Sequence, residues 1–200
     1  MFLVLSAAAA TGGPLPGDAP LREAVLAAAS PALVAVARAL NHGGTWKVLL
    51  PGFAVVLAAW PSVRARWWLW AAALAVAPLL ENAWKSVVAR PRPADLSMGF
   101  PSGHATAAAA FAVLVLYLAR RARLGPGAQT LVTALLATFF LLGVGLARVV
   151  LNAHWPSDVV AGWALGTACA SAAAWWDLRH PAATGESRAT GSGASGRPSA

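Results

Sequence analysis

Long apolar runs separated by short polar breaks dominate this chain of 200 residues. Five runs read as membrane-spanning helices: Trp46–Trp60, Trp67–Trp84, Ala105–Ala119, Gln129–Leu151 and Asp158–Trp176. A helix needs about 20 apolar residues to cross the hydrocarbon core. Tryptophans flank the first run, as in an interfacial aromatic belt. Pro78 inside the second is tolerated in a membrane helix. Gly162 and Gly166 in the last run have the spacing that lets two membrane helices pack closely.

The start of the chain is less regular. Met1–Ala10 is apolar but short, and no basic stretch precedes it as in a secretory signal. Thr11–Pro20 is a Gly/Pro-rich break. Leu21–Leu40 reads as one helix interrupted by Arg22, Glu23, Ser30, Pro31 and Arg38, with a kink at Pro31 and a position in the interface. Asn41–Gly44 is a turn, and His42 within it is a solvated loop residue. From His180 onward the Gly/Ser/Ala/Pro/Thr composition predicts a disordered tail. The expected fold is therefore all-α. It is a polytopic transmembrane bundle with five clear spans and a short or interfacial N-terminal helical part. The expected segments are 1–20, a membrane-embedded domain over 21–179, and a tail over 180–200.

Composition narrows the class. Hydrophobic residues make up 58% and charged residues 11%, with a mean hydropathy of +0.63. A soluble domain carries about 25% charged residues, so this is an integral membrane protein. The net charge of +8 raises nucleic acid as a partner. The arginines sit in short loops rather than on a basic face, which excludes it. Anionic lipid head groups or a phosphorylated substrate fit better. Cys169 is the single cysteine, so no intrachain disulfide forms. The pattern specifies no oligomeric state.

Alternating spans put loops 85–101 and 152–157 on one face, and loops 61–66 and 120–128 with the tail on the other. The second face carries Arg64, Arg66, Arg120, Arg121, Arg123 and Arg179. That bias makes it the cytoplasmic side, with the first face extracytoplasmic.

Three polar clusters converge on the first face. They are Lys85 to Pro93, Phe100 to His104, and Arg148 to Asp158. Neutral imidazole attacks phosphorus, and a covalent intermediate splits one hard displacement into two easier ones. His154 is the candidate nucleophile, with Asp158 four residues on to orient it. Ser102 stands at a helix start, where free N–H groups bind anions. Gly103 permits close backbone approach, and His104 is placed to act as general acid and base. Lys85, Arg92 and Arg148 supply the cations that a transferring phosphoryl group requires.

Each residue alone has a plainer reading. Asp158 also suits a helix start, Lys85 also pairs with Glu81 at i,i+4, and Arg92 and Arg148 also fit snorkelling at span ends. The gathering of all of them on one face favours the site. The seven acidic residues are dispersed, without metal-ligand spacing, so neither a metal nor a cofactor is expected.

With these residues in hand, the chain resembles the type 2 phosphatidic acid phosphatase superfamily. That family's signature is Lys-x6-Arg-Pro, then Pro-Ser-Gly-His, then Ser-Arg-x5-His-x3-Asp. Lys85, Arg92 and Pro93 match the first part, Pro101 to His104 the second, and Arg148, His154 and Asp158 the third. Ala147 replaces the leading serine of the third part. The resemblance implies a core of six helices with its site at the extracytoplasmic edge. It implies a phosphohistidine at His154, His104 as general acid, and Asp158 holding His154. Phosphate would bind to Lys85, Arg92, Ser102, Gly103 and Arg148, and the substrate would be a lipid phosphate or polyprenyl diphosphate. Two other readings share the pocket: vanadate-dependent haloperoxidase chemistry, and a non-catalytic lipid binder or transporter. The small membrane-embedded chain disfavours the first, and intact His104, His154 and Asp158 disfavour the second.

Overall fold

The computed structural model describes residues 1–181. Their helices are α1 (Phe2–Ala9), α2 (Asp18–Ala27), α3 (Pro31–Asn41), α4 (Trp46–Ala59), α5 (Trp67–Val88), α6 (Gly103–Arg121), α7 (Pro126–Leu135), α8 (Val144–Val150) and α9 (Pro156–Arg179). The only β pairing among the described residues is a single bridge between Pro91 and Met98. An all-helical build satisfies backbone hydrogen bonds internally, as lipid demands. Wider i→i+5 turns over Leu136–Gly143 join α7 to α8, so Pro126–Val150 is one helix of 25 residues.

α6, the α7–α8 unit and α9 are each long and apolar enough to cross a membrane. Two further pairs qualify only when taken together: α2 with α3, bent by 118°, and α4 with α5, bent by 119°. This refines the five spans read from the sequence. α4 has 14 residues, a length of about 21 Å, which is short of a hydrocarbon core of about 30 Å. The stretch Leu21–Leu40 is also corrected. Pro31 does not kink a continuous helix. It opens α3 at the first helical position, and Ser30 Oγ caps it by accepting from Leu33 N at 3.2 Å. Proline is favoured there because its missing N–H would be unpaired anyway.

α6 is the central helix. Its Leu114 and Leu118 are completely buried, in a core with Phe53 of α4, Trp70 of α5 and Ala170 of α9. α6 and α9 lie backbone to backbone. A Cβ on Gly162 would fall 2.6 Å from the Ser102 carbonyl oxygen, and one on Gly166 2.1 Å from that of Thr106. Only residues without side chains allow this approach. Large apolar side chains such as Val55, Leu79 and Leu142 point outward and stay exposed, as expected of a lipid-facing surface.

At the end of the bundle away from the signature residues, Asp177 of α9 is buried. It accepts from Arg66 at 2.5 Å and from the Tyr117 hydroxyl, and Arg121 lies 3.2 Å away. This cluster ties α6 and α9 to the Pro61–Arg66 turn. The expected disordered tail lies, from residue 182 onward, outside the described residues.

Candidate active site

The signature residues reach one end of the bundle from four directions. Lys85 stands in the last turn of α5. Arg92 is in the loop that follows, pinned by its own N–H donating to Ser97 O at 3.0 Å. Ser102, Gly103 and His104 open α6, Arg148 is in the last turn of α8, and His154 and Asp158 flank the start of α9. Backbone contacts lock these pieces together. Ser102 N donates to Asp158 O at 3.0 Å, and Ala153 N to Arg148 O at 3.0 Å. The charged and titratable neighbours acting on His104 are Arg148, His154, Lys85 and Arg92. The structure thus brings all eight sequence-predicted residues to one place.

The site's polar atoms are poorly satisfied by the protein. Arg92 Nε, Ser102 Oγ, Arg148 Nε and His154 Nδ1 are buried without a hydrogen-bond partner. Buried donors of this kind are costly unless something pairs with them. Ser102 occupies the cap position of α6, yet its side chain makes no capping bond, so its hydroxyl is available to a ligand. Arg148 is buried rather than snorkelling, and one of its terminal nitrogens donates to Asn41 Oδ1 at 2.5 Å. Lys85 does form the expected ion pair with Glu81. A Cβ on Gly103 would lie 2.9 Å from Glu81 Oε1. A side chain at position 103 would therefore press on the Glu81 carboxylate.

His154 is 2% exposed and Asp158 is fully buried. Its Oδ2 accepts from Trp155 N at 3.0 Å, as a helix-start carboxylate does. The same oxygen stands 3.5 Å from His154 Nδ1, in ion-pair range but too long for a good hydrogen bond. Burial holds the His154 imidazole below its ordinary value, against the opposing effect of Asp158. A neutral ring with one nitrogen turned to a carboxylate leaves the other free for nucleophilic work.

Sequence reading missed a set of supporting residues. Arg90 is fully buried and contacts Asp158 and Asp18, and Asn41 holds Arg148. A usable signal existed for Asp18. It is one of only seven acidic residues, and a carboxylate beside a membrane helix needs a partner. Ala147, where the family signature has serine, is buried in an apolar cluster with Ala37 and Val150.

Residues 95–181 match the PAP2 superfamily. The chain is 32% identical over 150 residues to decaprenylphosphoryl-5-phosphoribose phosphatase of Mycobacterium tuberculosis, covering 68% of this chain and 76% of that one. The chain belongs to the PAP2 superfamily. It is also 28% identical over 174 residues to phosphatidylglycerophosphatase B of Bacillus subtilis, covering 82% of this chain and 85% of that one. A crystal structure of a transmembrane PAP2-type phosphatidylglycerolphosphate phosphatase from Bacillus subtilis superposes with a TM-score of 0.78. That match has 26% identity and covers 89% of this chain and 92% of that one. LpxE of Aquifex aeolicus shares the fold, with a TM-score of 0.56 at 22% identity over 82% of this chain and 95% of that one. This PAP2 protein is accordingly a membrane-embedded phosphate-ester hydrolase.

Proposed function

We propose that this PAP2 enzyme removes the terminal phosphate from a lipid phosphate or polyprenyl diphosphate, through a phosphohistidine at His154 and without a metal ion. The single observation that carries the reading is the set of buried, unpartnered donors on Arg92, Ser102 and Arg148 gathered around His154. Three hydrogen-bond donors and a nucleophile that share one end of the bundle suit a tetrahedral anion. The relatives named above act on a phosphatidylglycerophosphate and on a decaprenylphosphoryl phosphoribose. Both are phosphates carried on lipids.

In the first step the free ring nitrogen of His154 attacks phosphorus. The bond to the leaving oxygen breaks, and His104 supplies the proton that this oxygen takes up. In the second step His104 accepts a proton from water, the water oxygen attacks phosphorus, and the P–N bond breaks to release inorganic phosphate. Lys85, Arg92, Arg148, the Ser102 hydroxyl and the Gly103 backbone hold the equatorial oxygens throughout, where charge is spread in the transition state. Asp158 supports the positive charge that develops on His154.

The site is assigned to the extracytoplasmic face of the cell membrane, with residues 21–179 as the phosphatase domain and the C-terminal tail cytoplasmic. A reporter fused after Ala200 tests the sidedness by reading cytoplasmic. For the chemistry, purified enzyme in detergent is offered a panel of lipid phosphates with and without chelator. Chelator leaves turnover intact, and His154→Ala lowers phosphate release by several orders of magnitude, on the order of 10⁴-fold or more. Turnover retained by His154→Ala refutes the assignment.

A further inference from the structure

Arg90 is the one arginine at the site whose guanidinium is wholly committed to the protein. It has no exposed surface. Its Nε donates to Gly13 O at 3.1 Å. One terminal nitrogen donates to Asp158 Oδ1 and Ser157 Oγ, both at 2.7 Å, and the other to Asp18 Oδ2 at 2.6 Å. Arg92 and Arg148 instead keep an unpartnered Nε. Arg90 therefore grips Asp158 through Oδ1, while Oδ2 is the carboxylate oxygen nearer His154.

Asp18 completes the assembly. It is 3% exposed and reaches the site from the start of α2. Besides Arg90, its carboxylate accepts from Ser157 N at 2.8 Å and Ser157 Oγ at 2.6 Å. Two carboxylates around one guanidinium carry a net charge of −1. Without Asp18, Arg90 would cancel the charge of Asp158, and the positive charge that develops on His154 during attack would lose its counterion. Without Arg90, two carboxylates would repel in a buried space and the rotation of Asp158 would be unfixed.

We infer that Arg90 and Asp18 are positioning residues for phosphoryl transfer: Arg90 fixes the Asp158 carboxylate against His154, and Asp18 offsets the charge of Arg90 so that Asp158 still presents a negative charge to the ring. This rests on His154 being the attacking group. The other charged or titratable groups facing His154 are Arg148 from α8, Arg92 and Asp95 from the loop before α6, and His104 from α6. None of these changes in the variants below.

The test compares Asp18→Asn and Arg90→Lys with the parent enzyme and with His154→Ala. It measures kcat, KM, the pH profile and thermal unfolding in detergent. Each positioning variant loses kcat by roughly ten- to a hundredfold, as outer partners of a reacting histidine do, with KM within about twofold. For Asp18→Asn the acidic limb moves to lower pH, because the proton on His154 has lost a negative neighbour. Asp18→Glu, which keeps the charge, recovers part of the rate. A variant that folds and keeps parental kcat and pH limb, while His154→Ala is dead, overturns the relay and leaves the nucleophile assignment standing. Turnover by His154→Ala overturns the nucleophile assignment itself. If neither Asp18→Asn nor Arg90→Lys folds, the pair is purely structural and the inference fails.

Discussion

Gly166 of α9 lies so close to Thr106 of α6 that a Cβ there would sit 2.1 Å from the Thr106 carbonyl oxygen. The obstacle is backbone, which cannot rotate aside, so an added methyl pushes the helices apart. Gly166→Ala should cost about 1–3 kcal/mol through overpacking and lower the thermal midpoint in detergent. Gly162→Ala meets Ser102 O at 2.6 Å, one residue from His104's turn, so it should lower kcat as well. Gly127→Ala, with nothing within 4 Å, is the control and should match the parent in both measurements. Equal midpoints for Gly166→Ala and Gly127→Ala would falsify the close packing.

Ser102 predicts an opposite movement of stability and activity. Its hydroxyl is buried and unpartnered, so Ser102→Ala removes an unsatisfied group. Stability should hold or rise by about 1 kcal/mol. kcat/KM should fall by roughly tenfold for the loss of one hydrogen bond to the phosphate. Parallel loss of midpoint and activity would instead mark Ser102 as a structural cap.

The pH dependence has a definite sign. In the proposed mechanism attack requires neutral His154. Burial lowers its pKa from the ordinary 6.5, so the ring stays neutral into more acidic solution. The acidic limb of kcat/KM that belongs to the enzyme should lie below pH 6.5. The substrate phosphate titrates nearby, with a second pKa of about 6. Two esters of different phosphate acidity separate the contributions, since the enzyme's limb stays fixed between them. A fixed limb above 6.5 would contradict the buried, neutral ring.

The cluster at the opposite end should affect stability alone. Asp177→Ala removes the acceptor shared by Arg66, Tyr117 and Arg121. Breaking a buried pair from one side costs about 3–5 kcal/mol. The thermal midpoint should drop sharply, while kcat per folded molecule stays within about twofold of the parent. A large loss of kcat in the folded fraction would show that the two ends are coupled.

The sequence was most informative where chemistry and local spacing coincide. His154 and Asp158 are one helical turn apart, and Ser102 to His104 sit at a helix start, so each cluster was visible locally, but only their gathering on one face favoured a site over the plainer reading of each. The close packing at Gly162 and Gly166 was legible for the same reason. Contacts between distant positions were not. Arg90 meets Asp18 across 72 residues and Asp158 across 68, and no local pattern encodes such a pairing. Pro31 shows a different limit. Proline serves equally as a helix breaker and as a first helical residue, and only the Ser30 cap decides between them. Apolar run length likewise said nothing of the 119° bend between α4 and α5.

The placement of Asp18 and Asn41 has a consequence for biosynthesis. These two residues precede their partners Ser157 and Arg148 by 139 and 107 positions and are made well before them. A product that stops short of α9 lacks Ser157 and Asp158, so Asp18 is without Ser157 and Arg90 is without Asp158. This end of the bundle therefore closes only after α8 and α9 have both been made.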